Sequence, residues 1–355
     1  MIAGMYYTIK GLKKIVGGKI AQNILSKIAK ERFFYTEKVF SPDTQDTITR
    51  LVILLPGKGC WWAKQKGGGC TMCGFAEKLK EIRSYQYSAQ DLVILCKIAL
   101  ELCEESPVEI AIFNGGSFLN DNEIPLKAQE KIASLAARLP IQTLYVESRP
   151  EFVTTDKIRK LVGILKEKKL KVGIGLEAVT DVIRERNINK GFTLKEYERA
   201  VEALLSKNAE VLTYVFLKPV KVSERKAIQE AVKTIRYAFK KGSKEVALEA
   251  ALVQEGTVMA KLFHQGKYRP PWLWSVIEVI KRTYKLGFVH VGNFDDEPSP
   301  IAIPFNCHRC TPKVLSALQA YRETHSLESL KYLRCSCKTK WKKEVFQKQK
   351  ARLLI

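Results

Sequence analysis

From residue 47 onward, short apolar runs rich in β-branched residues alternate with longer stretches of helical period. The runs fall at 51–55, 108–113, 142–147, 171–176, 211–217 and 246–253. Most are apolar on both faces, as strands of a parallel sheet covered by helices must be. Helical patterns lie between them near 88–104, 125–138, 154–168, 179–207 and 223–241, and another follows near 272–286. Six such units predict an α/β fold, a partial (β/α)6 barrel over residues 46–255, with its hand set by right-handed crossovers. Residues 1–45 read as a basic helical N-terminal extension, and residues 256–355 as a small Cys-rich C-terminal module. A helix from the proline and tryptophan segment after residue 256 is expected to cover the open end of the barrel.

Charge changes this picture more than composition does. Sixty Lys and Arg against 37 Asp and Glu leave a net charge of +23, which suits a polyanionic partner, nucleic acid first. A solvated thermophile surface would raise Lys and Glu together and keep the balance closer to zero. The extension sets Lys10, Lys13, Lys14, Lys19, Lys27, Lys30 and Arg32 among Leu12, Ile15, Ile20, Ile24 and Leu25. That pattern fits either a phosphate-contacting face or the wet face of an ordinary amphipathic helix. No apolar run reaches eighteen residues, so a membrane-spanning helix is not expected. The lysines near the N-terminus argue against a secretory signal, and a reducing cytoplasm is the expected location.

Seven of the nine cysteines fall in two groups, while Cys96 and Cys103 read as core thiols of one helix. Cys60, Cys70 and Cys73 occupy one glycine-loosened loop directly after the first apolar run. A Cys-x2-Cys pair brings two thiolates to one centre, and the arm with Gly67, Gly68 and Gly69 can fold back to add a third. Three thiolates on a 4Fe-4S cluster leave one iron open to a substrate. A zinc site, a disulfide and packed thiols are the competing readings of this loop.

Polar residues and glycines gather at the strand ends. The second run closes on Asn114, Gly115 and Gly116, and the third on Glu147, Ser148, Arg149 and Pro150. The fourth closes on Gly175, Leu176 and Glu177, with Arg184, Asn187, Lys190 and Gly191 following. Ligands bind at these ends in such sheets.

These residues together resemble the radical SAM superfamily, and in particular its Elongator catalytic-subunit-like branch, which also spaces its first two cluster cysteines widely. Within that branch the chain is similar to the archaeosine-biosynthesis radical SAM enzymes, including at Tyr268-Arg269-Pro270-Pro271-Trp272-Leu273-Trp274. The resemblance implies that Cys60, Cys70 and Cys73 ligate the cluster and are catalytic through it. It implies that Asn114, Gly115, Gly116, Glu147, Arg149 and Glu177 bind S-adenosylmethionine. It also implies a tRNA substrate, archaeosine synthase as partner and a low-potential electron donor. The implied reaction removes a hydrogen from a lysine attached to a 7-deazaguanine in tRNA and splits its carbon–nitrogen bond, leaving archaeosine. Met72 departs from the pattern, standing where many relatives carry an aromatic beside the adenine. Acetyl or thio transfer to tRNA is the alternative within the branch, and a tRNA-binding protein with structural metal sites is the alternative outside it.

Near the C-terminus, Cys307, Cys310, Cys335 and Cys337 suit a closed tetrahedral zinc site, with His308 a substitute ligand. A second iron–sulfur cluster and unliganded thiols compete with that reading. Beyond them Lys338, Lys340, Lys342, Lys343, Lys348, Lys350 and Arg352 form a basic tail, expected to meet a polynucleotide.

Overall fold

The computed structural model describes residues 33–75, 87–295 and 298–346. Its eight strands form one sheet in strict chain order: β1 Phe34–Ser41, β2 Asp46–Leu54, β3 Glu109–Phe113, β4 Thr143–Glu147, β5 Lys169–Glu177, β6 Glu210–Leu217, β7 Glu245–Ala250 and β8 Phe288–Val291. Strands β2 to β8 are all parallel, whereas β1 runs antiparallel to β2. Because each strand lies beside its predecessor, every crossover moves the same way and the sheet curls into a half-barrel.

The helices are α1 Trp61–Lys64, α2 Ala89–Glu101, α3 Leu126–Ala137, α4 Thr155–Leu165, α5 Leu194–Leu205, α6 Glu224–Lys240, α7 Val258–His264, α8 Leu273–Thr283, α9 Thr311–Thr324, α10 Glu328–Lys331 and α11 Cys337–Phe346. Side chains such as Leu51, Ile53, Ile110, Ile112, Val146, Val172 and Ile174 are buried in the core cluster that includes the α2 to α5 helices. The alternate positions Val52, Ala111, Tyr145, Leu212 and Ala247 form a separate interior cluster. Two buried faces explain why the strands lack a clean polar alternation. No described helix is long and apolar enough to cross a membrane.

Four expectations need correction. Residues 34–41 are not helical but form β1, held to β2 through a turn at Pro42 to Gln45. Charged positions Glu37 and Lys38 hid a strand that lies at the sheet edge, where such residues are tolerated. The remainder of the basic extension, residues 1–32, lies outside the described residues. The sheet also does not stop at residue 255, since β8 continues it beyond that point. The 179–207 helical stretch is broken: a turn of π-helix at Ile183–Ile188 ends at Asn189, which has φ 60°, and α5 restarts on a Thr193–Glu196 capping box. Finally, α8 packs along α6 outside the sheet rather than over the barrel mouth.

Helix α9 touches β1, β2 and β8, so it bridges the two edges of the half-barrel. His325, at its C-cap, stacks on Phe288 at 3.9 Å, Phe40 at 5.9 Å and Tyr284 at 5.3 Å. At the opposite end of the strands from the mouth, Lys171 joins Glu109 at 2.8 Å and Glu245 at 2.5 Å. Arg50 meets Glu109 at 2.5 Å, and His290 meets Glu245 at 2.5 Å. Burial alone would raise Glu245 and Glu109, but Lys171 lowers both, with His290 acting on Glu245 and Arg50 on Glu109, so both carboxyls stay below their usual range.

Candidate functional site

The loop after β2 leaves the sheet at its C-terminal edge, where Leu55 N–H still donates to Phe113 O at 2.7 Å. Cys60 caps α1, and Cys70 and Cys73 share a tight turn in which Cys73 N–H donates to Cys70 O at 3.2 Å. All three cysteines are partly exposed. Their loop has little regular structure of its own, so its shape comes from what grips it.

Most of that grip comes from 187–189. Asn189 Nδ2 donates to Gly67 O at 2.9 Å and to Gly69 O at 2.8 Å, gathering the glycine arm. Trp62 Nε1 donates to Asn189 O at 2.7 Å, and Thr71 bonds Ile188 O and Asn187 O, each at 2.8 Å. Gln254 Oε1 accepts from Gly74 N–H at 3.1 Å, and Thr71 O accepts from Met259 N–H at 3.0 Å. Arg184 is not at the rim: it is 1% exposed and donates to Phe192 O at 3.1 Å and Ala178 O at 3.2 Å, fixing the backbone that holds the loop.

Glu123 went unnoticed in the sequence and is central here. Its carboxylate is 3% exposed and accepts from Trp61 N–H at 2.9 Å, Asn120 Nδ2 at 2.9 Å and Ser117 N–H at 2.5 Å, with Asn114 Nδ2 at 3.4 Å. It therefore joins the Asn114-Gly115-Gly116 turn to the residue after Cys60. A side chain at Gly116 would collide with this carboxylate and stand 3.2 Å from the Cys60 Cα, so only glycine fits. Asn114 is buried, and its Oδ1 has no hydrogen-bond partner. Such an orphan acceptor suits an incoming donor. The signal for Glu123 was weak, one of two carboxylates, with Asp121, in the loop that follows Asn114.

The three strand-end residues have distinct surroundings. Glu177, at φ 62° where β5 bulges, pairs through Oε1 with Lys190 at 2.9 Å. Gly175 has no room for a Cβ because this pair lies against it. Arg149 donates to Glu151 at 2.6 Å and to Gly191 O at 3.3 Å, and its guanidinium lies 5.4 Å from the Trp62 and Phe192 rings. Glu147 accepts a hydrogen bond from Tyr214, which itself bonds Tyr145, a pair of inward tyrosines that the apolar look of their strands concealed. Burial first and Glu147 second hold both phenols well above their usual range, so they stay protonated.

Burial pushes the Cys70 thiol up, Lys190 and Arg149 draw it back, and Glu177 and Cys60 add to the rise. Cys60, Cys70, Arg149, Glu177 and Lys190 are thus one electrostatic neighbourhood. Cys96 is a buried core thiol, pushed up to about 12 by burial. Cys103 lies past the end of α2 and donates to Glu105 O at 3.1 Å, so it is only half a core thiol.

In the C-terminal module Cys307 Sγ lies 3.6 Å from Cys310 Sγ and 3.7 Å from Cys335 Sγ, and Cys310 Sγ lies 3.5 Å from Cys337 Sγ. Four thiolates at a zinc–sulfur distance of about 2.3 Å form a tetrahedron with edges of roughly 3.8 Å, close to these spacings. His308 is not a member: among the described residues the group of ligand atoms within 4.8 Å of one another is these four cysteines. The sulfurs of Cys60, Cys70 and Cys73 do not all lie within 4.8 Å of one another. Hydrogen bonding from the Cys337 backbone pulls the Cys335 thiol down to about 6, towards the thiolate that a metal requires. Trp274 Nε1 donates to Cys337 Sγ at 3.3 Å, tying the site to α8.

No family model matches the chain. Over 300 residues it is 32% identical to archaeosine synthase subunit beta of Methanosarcina acetivorans, covering 82% of this chain and 84% of that one. Over 302 residues it is 30% identical to archaeosine synthase subunit beta of Thermococcus kodakarensis, covering 82% and 90%. Among solved structures it is similar to an N-terminally truncated Elp3 of Methanocaldococcus infernus, at 15% identity and a TM-score of 0.49, covering 70% of this chain and 60% of that chain.

Proposed function

This chain belongs to the archaeosine synthase subunit beta family, within the radical SAM superfamily that its motifs resemble, and from that premise we propose that it is a tRNA-modifying enzyme of radical chemistry. The observation that carries the reading is the Cys60–Cys73 loop, gripped by Asn187 to Asn189 and set beside Arg149, Glu177 and Lys190 at the barrel mouth. A 4Fe-4S cluster held by Cys60, Cys70 and Cys73, with S-adenosylmethionine, supplies hydrogen abstraction by a carbon radical when bound.

The chain's own residues would hold and orient the cofactor. The orphan Asn114 Oδ1 offers an acceptor for an amino group, and Gly115, at φ 60° and without a side chain, lets that ligand come close to the backbone. Lys190 takes only Oε1 of Glu177, leaving Oε2 for a ribose hydroxyl or an ammonium. Arg149 uses Nε and Nη2 on Glu151, and its remaining edge suits a carboxylate. Glu147, kept in place by protonated Tyr214, is a third polar anchor.

The substrate in this reading is a lysine-bearing 7-deazaguanine in tRNA, whose carbon–nitrogen bond is split to leave archaeosine. The partner is the archaeosine synthase that installs the lysine, and a low-potential donor supplies the electron. The C-terminal cysteines hold a structural zinc ion. Anaerobic reconstitution with iron and sulfide tests the reading. Reduced protein should convert S-adenosylmethionine to 5'-deoxyadenosine, and mass spectrometry of tRNA nucleosides should show the lysine adduct disappearing as archaeosine accumulates. Cleavage of S-adenosylmethionine with the adduct intact would refute the lyase step alone. Colourless, iron-free protein would refute the cluster as well.

A further inference from the structure

The motif Tyr268 to Trp274 has no part in the cofactor site, yet it builds one wall of a second cleft. That cleft has a volume of about 390 Å3, within the range of roughly 300–1,000 Å3 typical of small-ligand pockets. Lys218 and Lys221 line it from the segment joining β6 to α6, Arg225 lines it from the first turn of α6, and Lys267 and Arg269 line it from the other side.

The cleft's frame is internally neutralised. Lys218 pairs with the buried Glu224 at 2.7 Å, and Glu224 also accepts from Trp272 N–H at 2.9 Å and Ser275 Oγ at 2.5 Å. Tyr268 OH donates to Lys218 O at 2.8 Å, and Arg269 pairs with Glu344 of α11 at 2.6 Å. Lys221, Arg225 and Lys267 are exposed and form no ion pair among the described residues, so the cleft keeps an excess of three positive charges.

Its position links it to the cysteine loop. Lys218 directly follows β6, at the mouth end of the strand. Asn187 Nδ2 donates to Val220 O at 2.9 Å in the cleft's own loop, while Asn187 O accepts from Thr71 Oγ1 at 2.8 Å in the cysteine loop. On the other side, α11, which gives Glu344 to the cleft, exposes Lys340, Lys342 and Lys343 while Trp341 and Val345 are buried, so the same helix carries further basic residues on the surface. A free phosphorylated metabolite needs only the pocket. A polymer of phosphates can occupy the pocket and the track together.

We propose that this cleft holds a backbone phosphate of the tRNA next to the nucleotide entering the barrel mouth. Lys221, Arg225 and Lys267 are the contacts, and the Tyr268–Trp274 motif is the scaffold. The inference rests on the tRNA reading above. The test compares two full-length triple variants by fluorescence anisotropy with a labelled tRNA transcript across a salt series. One is Lys221→Ala/Arg225→Ala/Lys267→Ala. The other is a control, Lys97→Ala/Lys127→Ala/Lys131→Ala, which removes the same charge from exposed positions on α2 and α3.

The cleft variant should bind at least about tenfold more weakly. Its slope of log affinity against log salt should be shallower by about one, since the one lost phosphate contact removes nearly one. The control should bind like the parent. Equal losses in both variants would mean diffuse attraction, and unchanged affinity in the cleft variant would mean that the RNA binds elsewhere; either overturns the proposal while the tRNA reading stands. A parent protein that fails to bind tRNA overturns both. If inorganic phosphate at physiological salt displaces none of the tRNA while a second tRNA does, a polymer-binding site is supported; complete displacement by inorganic phosphate overturns it. Melting temperatures matching the parent's establish that the variants are folded.

Discussion

The Glu123 carboxylate accepts a hydrogen bond from the Trp61 backbone N–H at 2.9 Å, so one buried side chain sets the distance between the cysteine loop and the Asn114–Gly116 turn. Replacing it with glutamine turns one acceptor into a donor facing other donors. Leaving buried donors unpaired costs about 1–3 kcal/mol. Glu123→Gln should therefore reduce S-adenosylmethionine affinity and cleavage by about 10- to 100-fold, with iron content less affected. Calorimetric binding and chromatographic assay of 5'-deoxyadenosine would measure both, and parental values in each would remove Glu123 from this role.

Asn189 contributes two things, its left-handed backbone and its side-chain amide. Asn189→Gly keeps the first and removes the second. It should lower iron incorporation at least severalfold and speed amide exchange across 66–73, while far-ultraviolet dichroism stays unchanged. If iron loading matches the parent, the loop is held by its other contacts alone.

His325 makes the closure of the half-barrel sensitive to acid. Burial, then the neighbouring His290, lowers its pKa from 6.5 to about 4. A depressed folded pKa means that the unfolded chain binds the proton first, so its contribution is complete above about 6.5 and is lost as pH falls towards 4. His325→Asn tolerates the left-handed C-cap and removes the titration. Urea unfolding should show lower stability than the parent at pH 7 but a flatter decline between these pH values. Below them Glu245 and Glu109, both depressed by their cationic partners, add a further loss as they protonate. An unchanged slope in the variant would clear His325 of this effect.

Metal loss should loosen the C-terminal module before the sheet. With four sulfurs arranged around one position, Cys337→Ser should abolish one metal equivalent per chain by elemental analysis. It also replaces the sulfur that accepts from Trp274 Nε1 with a smaller hydroxyl, which keeps an acceptor there but cannot serve as the thiolate ligand. The melting temperature should fall by more than about 5 °C, and proteolysis should start within 298–346. Intact metal content would show that three thiolates suffice.

The strand positions and the C-terminal cysteine group could be read from the chain because they depend on local pattern: apolar runs, helical period and ligand spacing are properties of neighbours in sequence. Cys307 to Cys337 converge as that spacing implied, and the six predicted runs are strands β2 to β7. What folding alone decided was which distant groups meet. Glu123 looked like any loop acid until the turn of β3 brought it under Trp61, and Arg184 looked like a rim cation until burial turned it inward. Likewise, β1 reads as part of a basic helical stretch and becomes a strand only because β2 offers it an edge. These assignments depend on pairing, desolvation and approach between segments far apart in the chain, quantities that hydrophobic periodicity does not encode.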